Sequence, residues 1–208
     1  MLSLKQIRML EILDQKVKQC EKCLLFRNGK AIPSWHENSK YCIIGEAPGI
    51  SEVRNQTPFN SAAGDILKNN LGKLGFKRSE FLIINSVQCR PNVKPSNDQL
   101  FYCSDWVRKY IKVVNPSKIL CLGNYAKSFF TDTTTGVLGE RGEWRHYSFE
   151  QPSIVEYPVL FTVHPVFCVY NDQGEEFLYN DLKLFKETKF QQRENASDWL
   201  FTEEEFMI

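Results

Sequence analysis

Several features that would fix a protein's class at once are missing from this sequence. No apolar run approaches the roughly 20 residues that span a bilayer. Residues 1–19 carry charges throughout and lack the hydrophobic block of an export signal. Together these absences point to a cytoplasmic chain with no membrane part. Neither charge sign is in surplus: 26 basic and 25 acidic side chains leave +1, so no global basic signal advertises nucleic acid. Histidine is scarce, with His36, His146 and His164 the whole supply. An internal repeat is absent too. Cysteine is present in an odd number, seven. Without an export signal, that count favours metal or cofactor ligation over a disulfide framework.

What is present supports one globular domain with an added tail. A hydrophobic fraction of 42% with 15 Phe can fill a core. Residues 191–208 hold one basic and five acidic side chains, a balance of −4 against +5 for residues 1–190. The body is therefore mildly basic, which permits a local phosphate-binding surface.

The chain is organised around Tyr41-Cys-Ile-Ile-Gly-Glu-Ala-Pro-Gly49. An apolar run of this length reads as a buried parallel strand, and Gly-Glu-Ala-Pro-Gly turns sharply at its end. Further apolar runs at 81–84, 118–122 and 158–163 alternate with helical patterns at 3–19, 61–74, 97–113, 124–130 and 175–188. Residues 46–60 read as a long loop, and 143–149 as a strand or hairpin. Strands alternating with helices give an α/β fold with a mainly parallel sheet. Glu46, Asn85 and His164 each follow the end of an apolar strand, directly or after one Gly. In a parallel sheet those ends share one edge, where ligands bind.

Cys42, Cys121 and Cys168 lie in apolar runs and read as buried core thiols. Cys20 and Cys23 form a Cys-x2-Cys pair, and Cys89 and Cys103 flank a loop and the start of a helix. Four thiolates suit either Zn²⁺ or an iron–sulfur cluster.

The following motifs occur in order: Cys-x2-Cys (20–23), Gly-Glu-Ala-Pro-Gly (45–49), Pro-Phe (58–59), Ile-Asn-x3-Cys-Arg-Pro (84–91), Leu-Gly-x2-Ala (122–126), Arg-Gly (141–142) and His-Pro (164–165). Carrying them, the chain resembles the uracil-DNA glycosylase superfamily, closest to its family-4, iron–sulfur branch, over about residues 18–187. The resemblance implies a three-layer α/β/α sandwich with a central four-stranded sheet spanning residues 1–190. It implies a [4Fe–4S] cluster on Cys20, Cys23, Cys89 and Cys103, with Zn as the alternative. The implied partner is DNA containing uracil, and a monomer is expected.

Base excision needs a flipped base read by its edge, an anionic leaving group stabilised and water positioned. Under the resemblance, Phe59 stacks the base. Asn85 offers a donor and an acceptor to the uracil O4/N3 edge, the opposite of what cytosine presents. His164 donates to O2 as charge grows. Glu46 orients or activates water, the backbone at Ala47 touches base or water, and Glu52 crowds the C5 edge against thymine. Arg90 and Arg141 approach phosphates, while Val166 and Phe167 wedge into the vacated stack. The chain departs from the family at Gln56 and Ser61, where Gly is usual, and in the segment 166–172, which has no basic residue. Those departures keep open a second reading, a non-catalytic DNA-binding or replication-accessory protein on the same fold. Residues 191–208, acidic with Trp199, Phe201 and Phe206, read as a peptide for a protein partner.

Overall fold

The computed structural model describes residues 1–131, 133–149 and 155–190. The tail expected to bind a partner lies outside them. Five strands form one sheet in the order β2-β1-β3-β5-β4. They are β1 (Tyr41–Gly45), β2 (Phe81–Asn85), β3 (Ile119–Leu122), β4 (Trp144–Phe149) and β5 (Val155–Thr162). All pairings are parallel except that of β4 with β5. The expected four parallel strands are all present, and the fifth is the edge element at 144–149. Its alternation of half-buried and exposed residues fits a strand covered on one flank only, which apolar runs alone do not reveal. Pro158 sits in β5 opposite His146, while pairing with β3 begins at Val159. The missing N–H therefore falls where only one neighbour runs alongside.

Helices cover both faces. Helix α1 (Leu4–Gln19) opens on a capping box in which Ser3 and Gln6 satisfy each other's backbone N–H. Its Leu10, Leu13 and Val17 are fully buried on one stripe. They join Cys42, Ile44, Leu82 and Ile84 of the sheet, and Val107, Tyr110 and Ile111 of α4 (Asn97–Val114), in one core layer. Burial of each such side chain contributes about 1.5–3 kcal/mol. Tyr110 and Trp35 both donate to Asp14, at 2.5 and 3.1 Å, tying α1 to α4 and to the 29–40 loop.

Ile43, Phe81, Ile83, Leu120 and Leu122 point the other way. They meet Leu67 and Leu71 of α3 (Ala62–Lys73), and Leu178, Leu182 and Phe185 of the helix Gly174–Glu187. The alternation of Cys42, Ile43 and Ile44 between the two layers is the strand period of two at work. The architecture is α/β/α, as expected.

Residues 46–60 are not a plain loop. They contain a short helix, α2 (Ile50–Arg54), whose first turn is closed by Glu52 accepting from the Gly49 N–H. Two more short helices follow β3: α5 (Gly123–Lys127) and α6 (Val137–Glu140). After β5 comes α7 (Phe167–Tyr170), then α8 (Gly174–Glu187). Cys42 and Cys121 are fully buried and burial pushes both thiols up, but Cys168 is only half-buried.

Candidate active site

The carboxyl ends of the parallel strands converge on one edge. In the β1–β2 ladder Gly45 pairs with Asn85, and β5 ends two residues before His164. Here lies a small cavity of about 180 Å³ lined by Ala47, Gly49, Glu52, Phe59, Ser61, Ala63, Asn85 and His164. Drug-sized pockets run to about 300–1,000 Å³, so this one suits a single small ring. Larger clefts exist, about 500 Å³ between α4 and the 128–134 segment and about 670 Å³ along α3. Neither gathers the strand-end residues, and the small cavity is the one with convergent chemistry.

Asn85 is 2% exposed, and its Nδ2 is buried with no hydrogen-bond partner among the described residues. An unpaired buried amide costs about 1–3 kcal/mol, and where such a group persists it asks for a ligand.

His164 is held by its own loop. The Val166 N–H donates to Nδ1 at 3.2 Å, which leaves the ring proton on Nε2. Burial, with the Lys94 ammonium as a second cause, holds the imidazole down from 6.5 to about 4. It is therefore an uncharged donor at neutral pH. Phe59 is buried, and its ring centroid lies 5.9 Å from that of His164 at 30°.

Two residues near Phe59 have left-handed backbones, Gln56 at φ 51° and Phe59 itself at φ 54°. Position 56 is one where the resemblance leads to an expectation of Gly, and this chain holds Gln there in a conformation that glycine adopts freely. The Arg78 guanidinium braces the strained stretch by donating to the Pro58 carbonyl at 2.8 Å. Ser61, at the family's other glycine position, caps α3 through the Gly64 N–H and donates to Glu52 at 3.1 Å. Glu52 is thereby fixed at the cavity wall by two donors, Ser61 and the Gly49 N–H.

Three glycines make room for the pocket. A Cβ on Gly45 would lie 2.4 Å from Asn85 Oδ1 and 2.6 Å from the Phe59 ring. One on Gly64 would lie 1.9 Å from the Phe59 carbonyl oxygen, and one on Gly123 2.9 Å from His164 Cβ. Gly45 and Gly123 lie in motifs of the sequence, but Gly64 belongs to none. A glycine inside a helical pattern such as Gly64 was the available signal, since that residue costs helix stability unless close approach requires it.

Glu46 stands at the rim rather than among the lining residues, and Lys94 Nζ lies 2.9 Å from its Oε1. Sequence reading missed Lys94, because the contact spans 48 positions. Arg141, expected at phosphate, is instead turned inward. It donates twice to Asp181, at 2.9 and 2.7 Å, and once to the Phe177 carbonyl. Asp181 is 3% exposed and needs that countercharge. Arg90 is half-exposed on the loop after β2. Of the expected wedge pair, Val166 is exposed, whereas Phe167 packs into the α3/α8 layer. Val169 and Tyr170 are the other exposed apolar side chains on that tip.

Cys20 ends α1, Cys23 precedes a 3-10 turn, Cys89 bridges to Lys30, and Cys103 sits in the second turn of α4. The four share one neighbourhood. Burial first, then the other cysteines among its neighbours, pushes the Cys89 thiol up to about 12 and Cys103 up to about 11. Trp106 Nε1–H points at Cys20 Sγ at 3.4 Å. Among the described residues, no three His, Cys, Asp or Glu side chains stand close enough to hold one metal ion. A lone zinc draws four sulfurs to about 2.3 Å of one centre. A cubane puts each thiolate on a different iron and spaces them wider.

The sequence profile of the "Uracil DNA glycosylase superfamily" matches residues 33–188. The chain belongs to the uracil-DNA glycosylase superfamily. It is 30% identical over 190 residues to the "Type-4 uracil-DNA glycosylase" of Saccharolobus solfataricus, covering 86% of this chain and 85% of that one. Against the protein of the same description from Sulfurisphaera tokodaii it is 28% identical over 187 residues, covering 86% and 84%. A "DNA polymerase" of Bacillus phage SP01 also matches, at 25% over 153 residues, 71% of this chain and 16% of the polymerase. Within the uracil-DNA glycosylase superfamily the departures at Gln56 and Ser61 now have local accounts, one conformational and one through Glu52. No helix among the described residues is long and apolar enough to cross a membrane.

Proposed function

We propose that this chain excises uracil from DNA by hydrolysing the N-glycosidic bond of a flipped nucleotide. The unpaired Asn85 Nδ2 in a cavity of single-ring size carries the reading. Uracil O4 accepts from that amide, and N3–H donates to Asn85 Oδ1. Cytosine, with a donor at C4 and an acceptor at N3, meets the wrong partner at both points. Phe59 gives the ring a stacking face.

As the C1′–N1 bond breaks, its electron pair leaves with the base. The anionic charge on O2 is met by Nε2–H of the neutral His164, and the sugar becomes oxocarbenium-like. Glu46, at the rim, orients water for attack on C1′ and takes its proton. The products are free uracil and an abasic deoxyribose. Glu52, pinned by Ser61 and the Gly49 N–H, stands as the wall against a C5 methyl.

Cys20, Cys23, Cys89 and Cys103 would hold a [4Fe–4S] cluster. Held there, such a group would be structural, its four thiolates joining α1 to the 89–103 segment. The similarity to type-4 enzymes supports that assignment.

Single-turnover assays with uracil-containing single- and double-stranded oligonucleotides, cleaved by alkali, test the proposal using anaerobically prepared protein. Strand scission that disappears in Asn85→Ala is expected, and inert wild-type protein on both substrates would refute it. The match to part of a phage polymerase favours one second reading, a replication-associated DNA-binding domain. Salt-sensitive DNA binding with no excision would support that instead.

A further inference from the structure

Lys94 belongs to no motif and none of the reading above uses it. It is nevertheless one of the best-placed charges in the molecule. It lies on the loop between β2 and α4, and that loop is pinned on both sides of it. Asn28 Nδ2 donates to the Arg90 carbonyl and to Asn92 Oδ1, both at 3.1 Å, and the Arg90 N–H donates to the Gly29 carbonyl. Two residues past Lys94, Ser96 closes a capping box with Gln99 at the start of α4. Pro91 and Pro95 flank the segment and stiffen it further.

From this support Lys94 reaches two partners. Its Nζ is 2.9 Å from Glu46 Oε1 and 5.4 Å from the centroid of the Tyr125 ring on α5. The loop after β2 thus meets the loop after β1 and the helix after β3 through one ammonium. The charged groups around this mouth are Glu46 from the end of β1, Glu52 from α2 and Lys94, with Arg78 behind Glu52.

We propose that Lys94 is a positioning residue of the pocket: it fixes the Glu46 carboxylate at the rim and keeps a permanent positive charge at the pocket mouth. The inference deepens the excision reading and rests on it for its kinetic part. His164 is a neutral donor, so it supplies a hydrogen bond but no full charge to the departing base. A cation near it lowers the cost of the negative charge that the bond electrons carry onto uracil. The same cation, second to burial, opposes protonation of His164 and so helps keep it a neutral donor. By holding one carboxylate oxygen of Glu46, it leaves the other free to face water. A half-exposed ion pair of this kind contributes little to folding. Its placement between two pinned points therefore calls for another reason.

The test uses Lys94→Met and Lys94→Arg in cluster-loaded full-length protein, with two readings. The first is single-turnover excision from a uracil oligonucleotide at saturating protein. Lys94→Met is expected to slow it about tenfold or more with an unchanged thermal midpoint, and Lys94→Arg to recover most of the rate. The second is the ¹⁵N titration of the His164 ring without DNA, whose midpoint is expected to rise in Lys94→Met while burial, the larger cause, still holds it below 6.5. Excision by Lys94→Met at the wild-type rate, or a His164 titration that does not move, overturns the proposal. So does a loss confined to DNA affinity, which is what a plain phosphate contact would give. Inert wild-type protein would end the excision reading alone. The titration, read without substrate, would then support the electrostatic role if it moved and overturn it if it did not.

Discussion

Two polar constellations sit near the carboxyl end of β5, and they are built on opposite principles. At one, Asp181 is met by Thr162 Oγ1 and by two Arg141 nitrogens. Every partner is another part of the protein. At the other, two residues further along the chain, His164 lines a cavity shared with an Asn85 amide that has no partner. The first cluster joins β5 and the α6 end to α8 and is finished when the chain folds. The second is left incomplete on folding. A saturated network specifies structure, and an unsaturated one, held rigidly, specifies a ligand.

The contrast breaks most visibly at Asp181. Asp181→Ala leaves the half-buried Arg141 guanidinium with only the Phe177 carbonyl, and a loss of about 1–3 kcal/mol is expected by urea denaturation. The excision rate per folded molecule should stay near wild type, and a rate loss larger than the folded fraction explains would dissolve the distinction. Asn85→Ala is the mirror case. Removing an unpaired amide should leave the urea midpoint almost unmoved, while excision falls about 100-fold or more. A strong destabilisation there would mean that Asn85 is structural.

The pH response sharpens the same point. The folded His164 titrates near 4, below its ordinary 6.5, so the unfolded chain binds a proton first as pH falls. Its contribution to stability is complete above pH 6.5 and declines between 6.5 and about 4. Excision should show no acid limb with a midpoint near 6.5, and kcat/KM measured from pH 8 to 5 checks this. The smallest effect is expected at Ser61. Ser61→Ala removes a helix cap and one of the two donors to Glu52, at a cost of about 1 kcal/mol. Its informative readout is uracil-over-thymine discrimination, expected to weaken several-fold.

Much of this was legible in the sequence because it was local. The four parallel strands announce themselves as short apolar runs, and the strand-end acid, amide and imidazole follow them within two residues. The cavity gathers Ala47, Glu52, Phe59, Asn85 and His164, five residues singled out beforehand. What escaped was non-local or written in small residues. Helix α2 is five residues long, too short for a helical period to register. The resemblance alone brings Arg141 to phosphate, and its actual partner, Asp181, lies 40 positions away in what reads as an ordinary amphipathic helix. The Glu46–Lys94 pair is hidden in the same way. The resemblance pairs Phe167 with Val166 as a wedge, but the turn that begins α7 packs Phe167, half-buried, against the α3/α8 layer and leaves Val166 outside.

The three glycines beneath the pocket set a limit on how it can change. Gly45, Gly64 and Gly123 already have no side chain, and each is overlaid by a working residue. Mutation at these positions can only add volume, into Asn85, Phe59 or His164. Ala47, Ser61 and Ala63 on the remaining wall are also small, so a descendant of this protein that accepts a bulkier base gains most space by trimming or releasing Glu52. Adaptation of the site is therefore channelled toward α2, and a mutational scan should find changes of base preference concentrated there.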